Sequence, residues 1–327
     1  MHRIPRFLLT VVALGVIVTG CGDDDTGGAS PDRLTVVVTT NILGDVVENL
    51  VGDAVEVVTV MPVGADPHDF QASARQVEQM QSAAAVIVNG GGFEEGLLDV
   101  IEGIESDGTP VYAAITGVPL IEFGAGDHDD HDDHEGEEDH DDHEGHDHSG
   151  DDPHFFTDPS RMAVAVDGIA AFLIANVDGI DQEAVRAASE AYHADLEALD
   201  GEVEAMLSAV PPEVRVLVTN HEVFGYFADR YGFEVAATVI PSGSTMDGTS
   251  AGELADLADL LIDEGVSVVF SDTSASDQLA QTLADEVGSV AVVALFTESL
   301  GDADSDGASY IDMVRSNAER IAAALAS

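Results

Sequence analysis

The chain has 327 residues, with ten arginines, no lysine and 64 acidic residues, for a formal charge of −54. Such a surface excludes nucleic acid, which needs a basic patch, and disfavours an anionic substrate; a cation is the natural partner. An apolar fraction of 45% in a chain of this length is enough for two lobes, each with a core.

Residues 1–21 stand apart from the fold. Arg3 and Arg6 form a positive n-region, and the apolar run from Phe7 to Val18 is too short to span a bilayer as a helix. The run ends in Val18-Thr19-Gly20-Cys21, which resembles the lipobox of bacterial lipoproteins. That resemblance implies that Cys21 is lipidated and becomes the mature N-terminus, anchoring the protein to the extracytoplasmic side of the cell membrane. Cys21 is the sole cysteine, so no disulfide is expected. Residues 22–33 read as a flexible Gly/Asp/Ser tether.

From residue 34 the pattern alternates. Residues 34–39 read as a buried strand. A helix follows, with Asn41 as a possible cap and Leu43, Val46, Val47 and Leu50 on one face. Strands are expected at 55–61, 84–88 and 110–115, and helices at 73–82 and 94–103. Strands alternating with helices imply βαβ units and a parallel sheet covered on both faces.

Residues 127–152 break this pattern. They carry seven of the chain's twelve histidines, His128, His131, His134, His140, His143, His146 and His148, among acids and glycines. With no apolar residue the segment cannot build a core and is expected to be disordered without a ligand. A solvated acidic loop needs no histidines, and imidazole binds borderline metals near neutral pH. The segment therefore reads as an auxiliary, multi-site metal-capture loop.

A helix is expected at 160–175. The longest periodic segment follows at 182–210, where Val185, Ala188, Tyr192, Leu196, Leu199, Val203, Met206 and Val210 recur at steps of three and four. Such a helix is about 40 Å long, the span of a two-lobed protein. Pro211-Pro212 stops it. A second βα series then places strands at 214–219, 234–240, 266–270 and 290–295, with helices at 221–231, 251–265, 278–287 and 310–326.

Four residues stand out as metal ligands: His68, His154, His221 and Glu298. Ligands of open parallel sheets bind beyond the carboxyl ends of the strands. His68, His221 and Glu298 follow expected strands, and His154 is placed by an Asp-Pro turn. Outside the leader and the His-rich segment only one other histidine remains, His193, which reads as solvent-facing in mid-helix. Two ligands precede the long helix and two follow it, so an ion held by all four would be clamped between lobes. Four protein ligands leave no open position of the kind catalytic zinc keeps, and no HExxH, Ser/His/Asp or Cys/His arrangement is present, so no enzyme is expected. Asp66 and Asp152, each two residues before a histidine, are candidates to hold the ring N–H groups.

The segments GADPHDF, DPHFFTDP, TNHEVFGYFADRYGF and the stretch around Glu298, in this order and spacing, resemble the zinc/manganese family of ABC-transporter solute-binding proteins. The His-rich acidic insertion is similar to that of its zinc-specific members. The resemblance runs from about residue 34 to the C-terminus. It implies an α/β fold of two lobes, each a roughly four-stranded parallel sheet with flanking helices. One long backbone helix joins them, and one metal lies in the interlobe cleft. Carried over, the ligands are His68, His154, His221 and the acid after Phe296-Thr297. Members commonly have Asp there; here it is Glu298.

On this reading the chain divides into a signal peptide (1–21), a tether (22–33), an N-terminal lobe (34–180), a linking helix (181–210) and a C-terminal lobe (211–327). It works as a monomer. It captures Zn(II) as transported ligand and delivers it to an ABC transporter permease with its ATPase. Three imidazoles favour zinc over manganese, which prefers oxygen-rich octahedral shells. The long helix is expected to limit motion to local rearrangement and small tilts. Alternatives are a manganese or iron(II) binder of the same family, an exported metallohydrolase, and a metal-buffering or adhesive surface lipoprotein without a transporter.

Overall fold

The computed structural model describes residues 34–123 and 150–326. The leader, Cys21, the tether and the seven histidines from His128 to His148 lie outside them. Two parallel sheets of four strands carry the fold. The first joins β1 (Thr35–Val38), β2 (Glu56–Thr59), β3 (Ala85–Val88) and β4 (Val111–Ala113) in the order β2-β1-β3-β4. The second joins β5 (Val216–Thr219), β6 (Glu234–Thr238), β7 (Val268–Asp272) and β8 (Ala291–Leu295) in the order β6-β5-β7-β8. Both sheets thus repeat one topology.

Strand side chains alternate between faces, and both faces are covered. Val36 and Val38 enter a large central core, while Val37 points the other way into a smaller outer one with Met80, Leu97 and Ile104. In the second sheet Leu217, Val268 and Phe270 face the central core, and Val218 and Val269 face an outer core with Leu257, Leu261 and Leu283. The outer cores are supplied by helices α2 (Ala74–Ser82), α3 (Leu98–Ser106), α7 (Ala251–Asp263) and α8 (Gln278–Val287).

The central core runs through both lobes because one helix runs through both. Helix α5 (Gln182–Leu207) has 26 residues, about 40 Å. Asp181 caps it by accepting the Ala184 amide. Its buried stripe of Val185, Ser189, Tyr192, Leu196, Leu199, Val203 and Leu207 follows the steps of three and four in the sequence. It packs against α1 (Asn41–Val51) and α4 (Pro159–Asn176) of the first lobe and α9 (Tyr310–Leu325) of the second.

Several expectations change at element ends: α5, expected to run to 210, ends at Leu207, before the prolines, and three further changes lie near the candidate ligands. Thr40, not Asn41, caps α1, with its hydroxyl accepting the Leu43 amide at 3.2 Å. Asn41 is thereby released to reach the other lobe: it donates to Ser299 Oγ at 2.9 Å and accepts the Leu300 amide at 2.7 Å. The helix expected from residue 94 opens as a 3-10 turn, Glu95–Leu97, and becomes α-helical at Leu98. The helix expected from His221 starts four residues later, as α6 (Gly225–Tyr231). Residues 220–224 are a loop instead. The Thr219 hydroxyl and the Val223 amide both donate to the His221 carbonyl, and the Glu222 amide donates to Ser242 O.

Candidate metal centre

Each candidate ligand is delivered by a local constraint that its neighbours in sequence impose. His68 lies in the loop between β2 and α2. Its amide donates to Asp66 Oδ1 at 3.0 Å, and its carbonyl accepts the Gly96 amide at 3.2 Å. That approach is tight: a Cβ on Gly96 would stand 2.3 Å from the Phe70 carbonyl oxygen. His154 follows Asp152, whose Oδ1 accepts both its amide (2.8 Å) and its ring Nδ1–H (2.7 Å). Asp158, four residues on, caps α4 through the Ser160 amide. His221 follows β5. Glu298 follows β8, where Asn317 of α9 pins Phe296 by accepting its amide and donating to its carbonyl.

These four side chains converge. Glu298 Oε1 lies 2.8 Å from His68 Nε2, 3.3 Å from His154 Nε2 and 3.1 Å from His221 Nε2. The imidazole centroids form a near-equilateral triangle with sides of 5.8, 5.8 and 5.5 Å. All four offer ligand atoms within 4.8 Å of one another, and none is more than 2% exposed. A zinc tetrahedron with bonds of about 2.0–2.1 Å has edges of about 3.3 Å, near the three distances from Glu298 Oε1 to the ring nitrogens. Phe93 walls the site, edge-on to His68 and His154 at 5.3 and 5.5 Å.

Opposed charges tie the cluster together. Burial alone would lower the His68 pKa, but the Glu298 charge and the ring's hydrogen bonds to Glu298 and Glu95 outweigh it and push it up to about 10. His154 is raised in the same way, burial again opposing, by the Asp152 and Glu298 carboxylates. Burial would raise the Glu298 carboxyl; His221 and His68, with the hydrogen bond from His154, instead hold it well below the usual range. Three ring nitrogens around one carboxylate oxygen are a donor set that a divalent cation could join.

The cleft is closed over the site. Ser299 Oγ accepts the Gly64 amide at 2.8 Å, the Thr245 hydroxyl donates to Asp66 Oδ2 at 2.6 Å, and the Tyr226 hydroxyl donates to the Asp152 carbonyl at 2.6 Å. At Gly243 a Cβ would lie 2.3 Å from the Phe123 ring.

The profile of the family described as zinc-uptake complex component A, periplasmic, matches residues 36–324. The chain belongs to this family. Its members are solute-binding proteins of ABC transporters, and this chain is a metal-binding one of that class. The manganese-binding lipoprotein MntA of Halalkalibacterium halodurans is 26% identical, with 98% of each chain covered. The zinc-binding protein TroA of Treponema pallidum is 28% identical, again with 98% of each covered. The solved TroA structure superposes with a TM-score of 0.78 at 27% identity, covering 90% of this chain and all of that one.

Two side chains of the site were not read from the sequence, and one was misread. Asp66 does not hold the His68 ring; Glu95 does, at 3.0 Å to Nδ1. The offset of two residues that works at Asp152 fails at Asp66 because Asp66 turns to the His68 amide and to Thr245. Glu95 stands on a separate turn, 27 residues away, and no local pattern marks it. Asp272, the last residue of β7, is 4% exposed and within electrostatic range of Glu298 and His221. Burial and the Glu298 charge push its carboxyl up. His193, by contrast, sits one-third exposed on α5 against Asp167 and Glu197, away from the cluster.

Proposed function

We propose that this protein captures Zn(II) outside the cytoplasm through His68, His154, His221 and Glu298 and delivers it to the permease and ATPase of an ABC importer. The observation that carries the reading is the convergence of three imidazole Nε2 atoms on a single carboxylate oxygen. Three nitrogen donors and one oxygen suit tetrahedral zinc better than manganese. The four-ligand shell leaves no position for a substrate, which favours holding an ion over using it.

The assignments that fall outside the described residues complete the proposal. Cys21 carries the lipid anchor after cleavage between Gly20 and Cys21, residues 22–33 tether the fold, and the seven histidines from His128 to His148 collect zinc near the membrane and pass it to the cleft. The monomer then docks on the permease through its two lobes, 34–180 and 211–327, with 181–210 limiting their relative motion.

A manganese or iron(II) cargo is the second reading, and one observation favours it: Glu298 Oε2 is buried with no hydrogen-bond partner among the described residues. A carboxylate binding through both oxygens makes the shell richer in oxygen, and a relative as similar as MntA is named for manganese. Titration of the metal-stripped protein with Zn(II), Mn(II) and Fe(II) against a competing chelator decides between them. One tight zinc site that outcompetes the other two ions, survives replacement of residues 127–151 by a Gly/Ser linker and is lost in His154→Ala supports the proposal. Loss of tight binding with the loop alone would move the function to the loop.

A further inference from the structure

The three histidines are not equally supported. His68 has Glu95 at Nδ1 and His154 has Asp152. His221 points Nε2 at Glu298 like the others, but its Nδ1 is buried and finds no partner among the described residues. A buried polar atom without a partner is costly, and histidines that bind metals through one ring nitrogen almost always donate the other N–H to a carboxylate, carbonyl or water.

The sheet topology brings one unused acceptor alongside. Strand β7 lies between β5, which leads to His221, and β8, which leads to Glu298. Thr219 of β5 pairs with Phe270 of β7, so His221 and Asp272 each stand two residues beyond the same rung. Asp272 pairs with Leu295, three residues before Glu298. Its Oδ1 is taken by the amide and hydroxyl of Ser274, both at 2.7 Å, whereas Oδ2 is buried and without a partner among the described residues. His221 Nδ1 and Asp272 Oδ2, two buried polar atoms without partners among the described residues, thus flank the same ligand loop, with the Thr297 hydroxyl a third beside Asp272. Asp272 is not one of the four residues whose ligand atoms cluster, so it stands behind the site rather than in it.

We propose that Asp272 is the positioning residue for His221: when an ion takes Nε2, Asp272 Oδ2 accepts the Nδ1–H and fixes the ring. All three histidines then have a carboxylate behind them, two preformed in the closed metal-free site and one engaged on loading. This rests on the four-ligand reading of the centre.

The test uses the full chain, stripped of metal and titrated with Zn(II) against a chelator. Asp272→Asn weakens zinc binding by about 10- to 100-fold, and Asp272→Glu recovers part of the loss. The urea midpoint of metal-free Asp272→Asn stays at or above that of the parent, because the substitution removes a buried carboxylate. In the zinc-loaded parent, nitrogen-15 spectra of the rings show His221 with a hydrogen-bonded, exchange-protected Nδ1–H that Asp272→Asn loses. Unchanged affinity, an unchanged ring signal, or a loss of affinity that merely follows a lower urea midpoint overturns the inference. His221→Ala separates the two levels. If it also binds zinc like the parent, the four-ligand reading fails; if it alone loses zinc, only the role of Asp272 does.

Discussion

Asp-Pro-His occurs twice in this chain, at Asp66-Pro67-His68 and at Asp152-Pro153-His154, and the two copies fold to different ends. In both, the aspartate accepts the histidine amide and fixes the turn. Only at Asp152 does the same oxygen also take the ring. At Asp66 the ring has turned to Glu95, and the second carboxylate oxygen reaches across the cleft to Thr245. One copy is therefore self-contained, its aspartate holding both backbone and ring of its own histidine. The other divides its labour, with Glu95 holding the His68 ring and Asp66 bonded across the cleft to Thr245. Identical local sequence secures the backbone but leaves the side chain's second partner to the tertiary environment.

The comparison presumes that both histidines bind the ion, and the largest effect tests this. His68→Ala and His154→Ala each remove a proposed ligand. Each is expected to weaken zinc binding by more than the about 10- to 100-fold that loss of an outer carboxylate causes. A chelator competition in which either variant keeps parental affinity removes that histidine from the site.

Acid comes next. His68, with its pKa raised to about 10, carries a proton in the metal-free protein at neutral pH, and the ion must displace it. Apparent zinc affinity should therefore rise with pH, by at least about tenfold per unit between pH 6.5 and 10, as each proton released enters the equilibrium once. The sign for the metal-free fold is opposite. A raised histidine pKa contributes stability that is fully present below about pH 6.5 and is lost as pH rises through about 10. Isothermal titration in buffers of different ionisation enthalpy counts the protons. An affinity independent of pH would mean that the rings are neutral before the ion arrives.

Asp152→Asn follows, at about 10- to 100-fold weaker zinc binding, because His154 is fully buried and Asp152 Oδ1 is the acceptor of its Nδ1–H. Glu95→Gln is expected at the low end of that range, about tenfold. Glu95 is one-third exposed, so water can replace part of what the carboxylate supplies.

The difference between the copies also marks where reading the sequence stops. The alternation of strands and helices, the stripe of α5 and the positions of His68, His154, His221 and Glu298 follow from periodicity, turn residues and the family's motifs, all of which are local in the chain. The partners that complete the site are not local. Glu95 reaches His68 across 27 residues and Asn41 reaches Ser299 across 258. Among 64 acids nothing in composition distinguishes these few. Asp272 could have been flagged by one signal, an acid two residues after the apolar run Val268-Val269-Phe270, since ligands of open parallel sheets gather at the strands' carboxyl ends. The late start of α6 was misread for a related reason: the bonds that hold residues 220–224 out of a helix come partly from Ser242.

Asp66→Asn carries the smallest effect and the sharpest distinction. The amide oxygen of Asn can still accept from the His68 backbone, and the ring keeps Glu95, so the ligand itself is undisturbed. What weakens is the hydrogen bond from Thr245, one of the contacts that close the cleft. A half-buried hydrogen bond of this kind is worth about 0.5–1 kcal/mol, which converts to about two- to fivefold. Because the bond belongs to closure, the change should appear in the rate of zinc release, and Thr245→Val should reproduce it. The double variant should show no further loss, since both substitutions remove the same bond. Were Asp66→Asn as damaging as Asp152→Asn, the two copies would be equivalent in solution, and the preference of His68 for Glu95 would carry no functional weight.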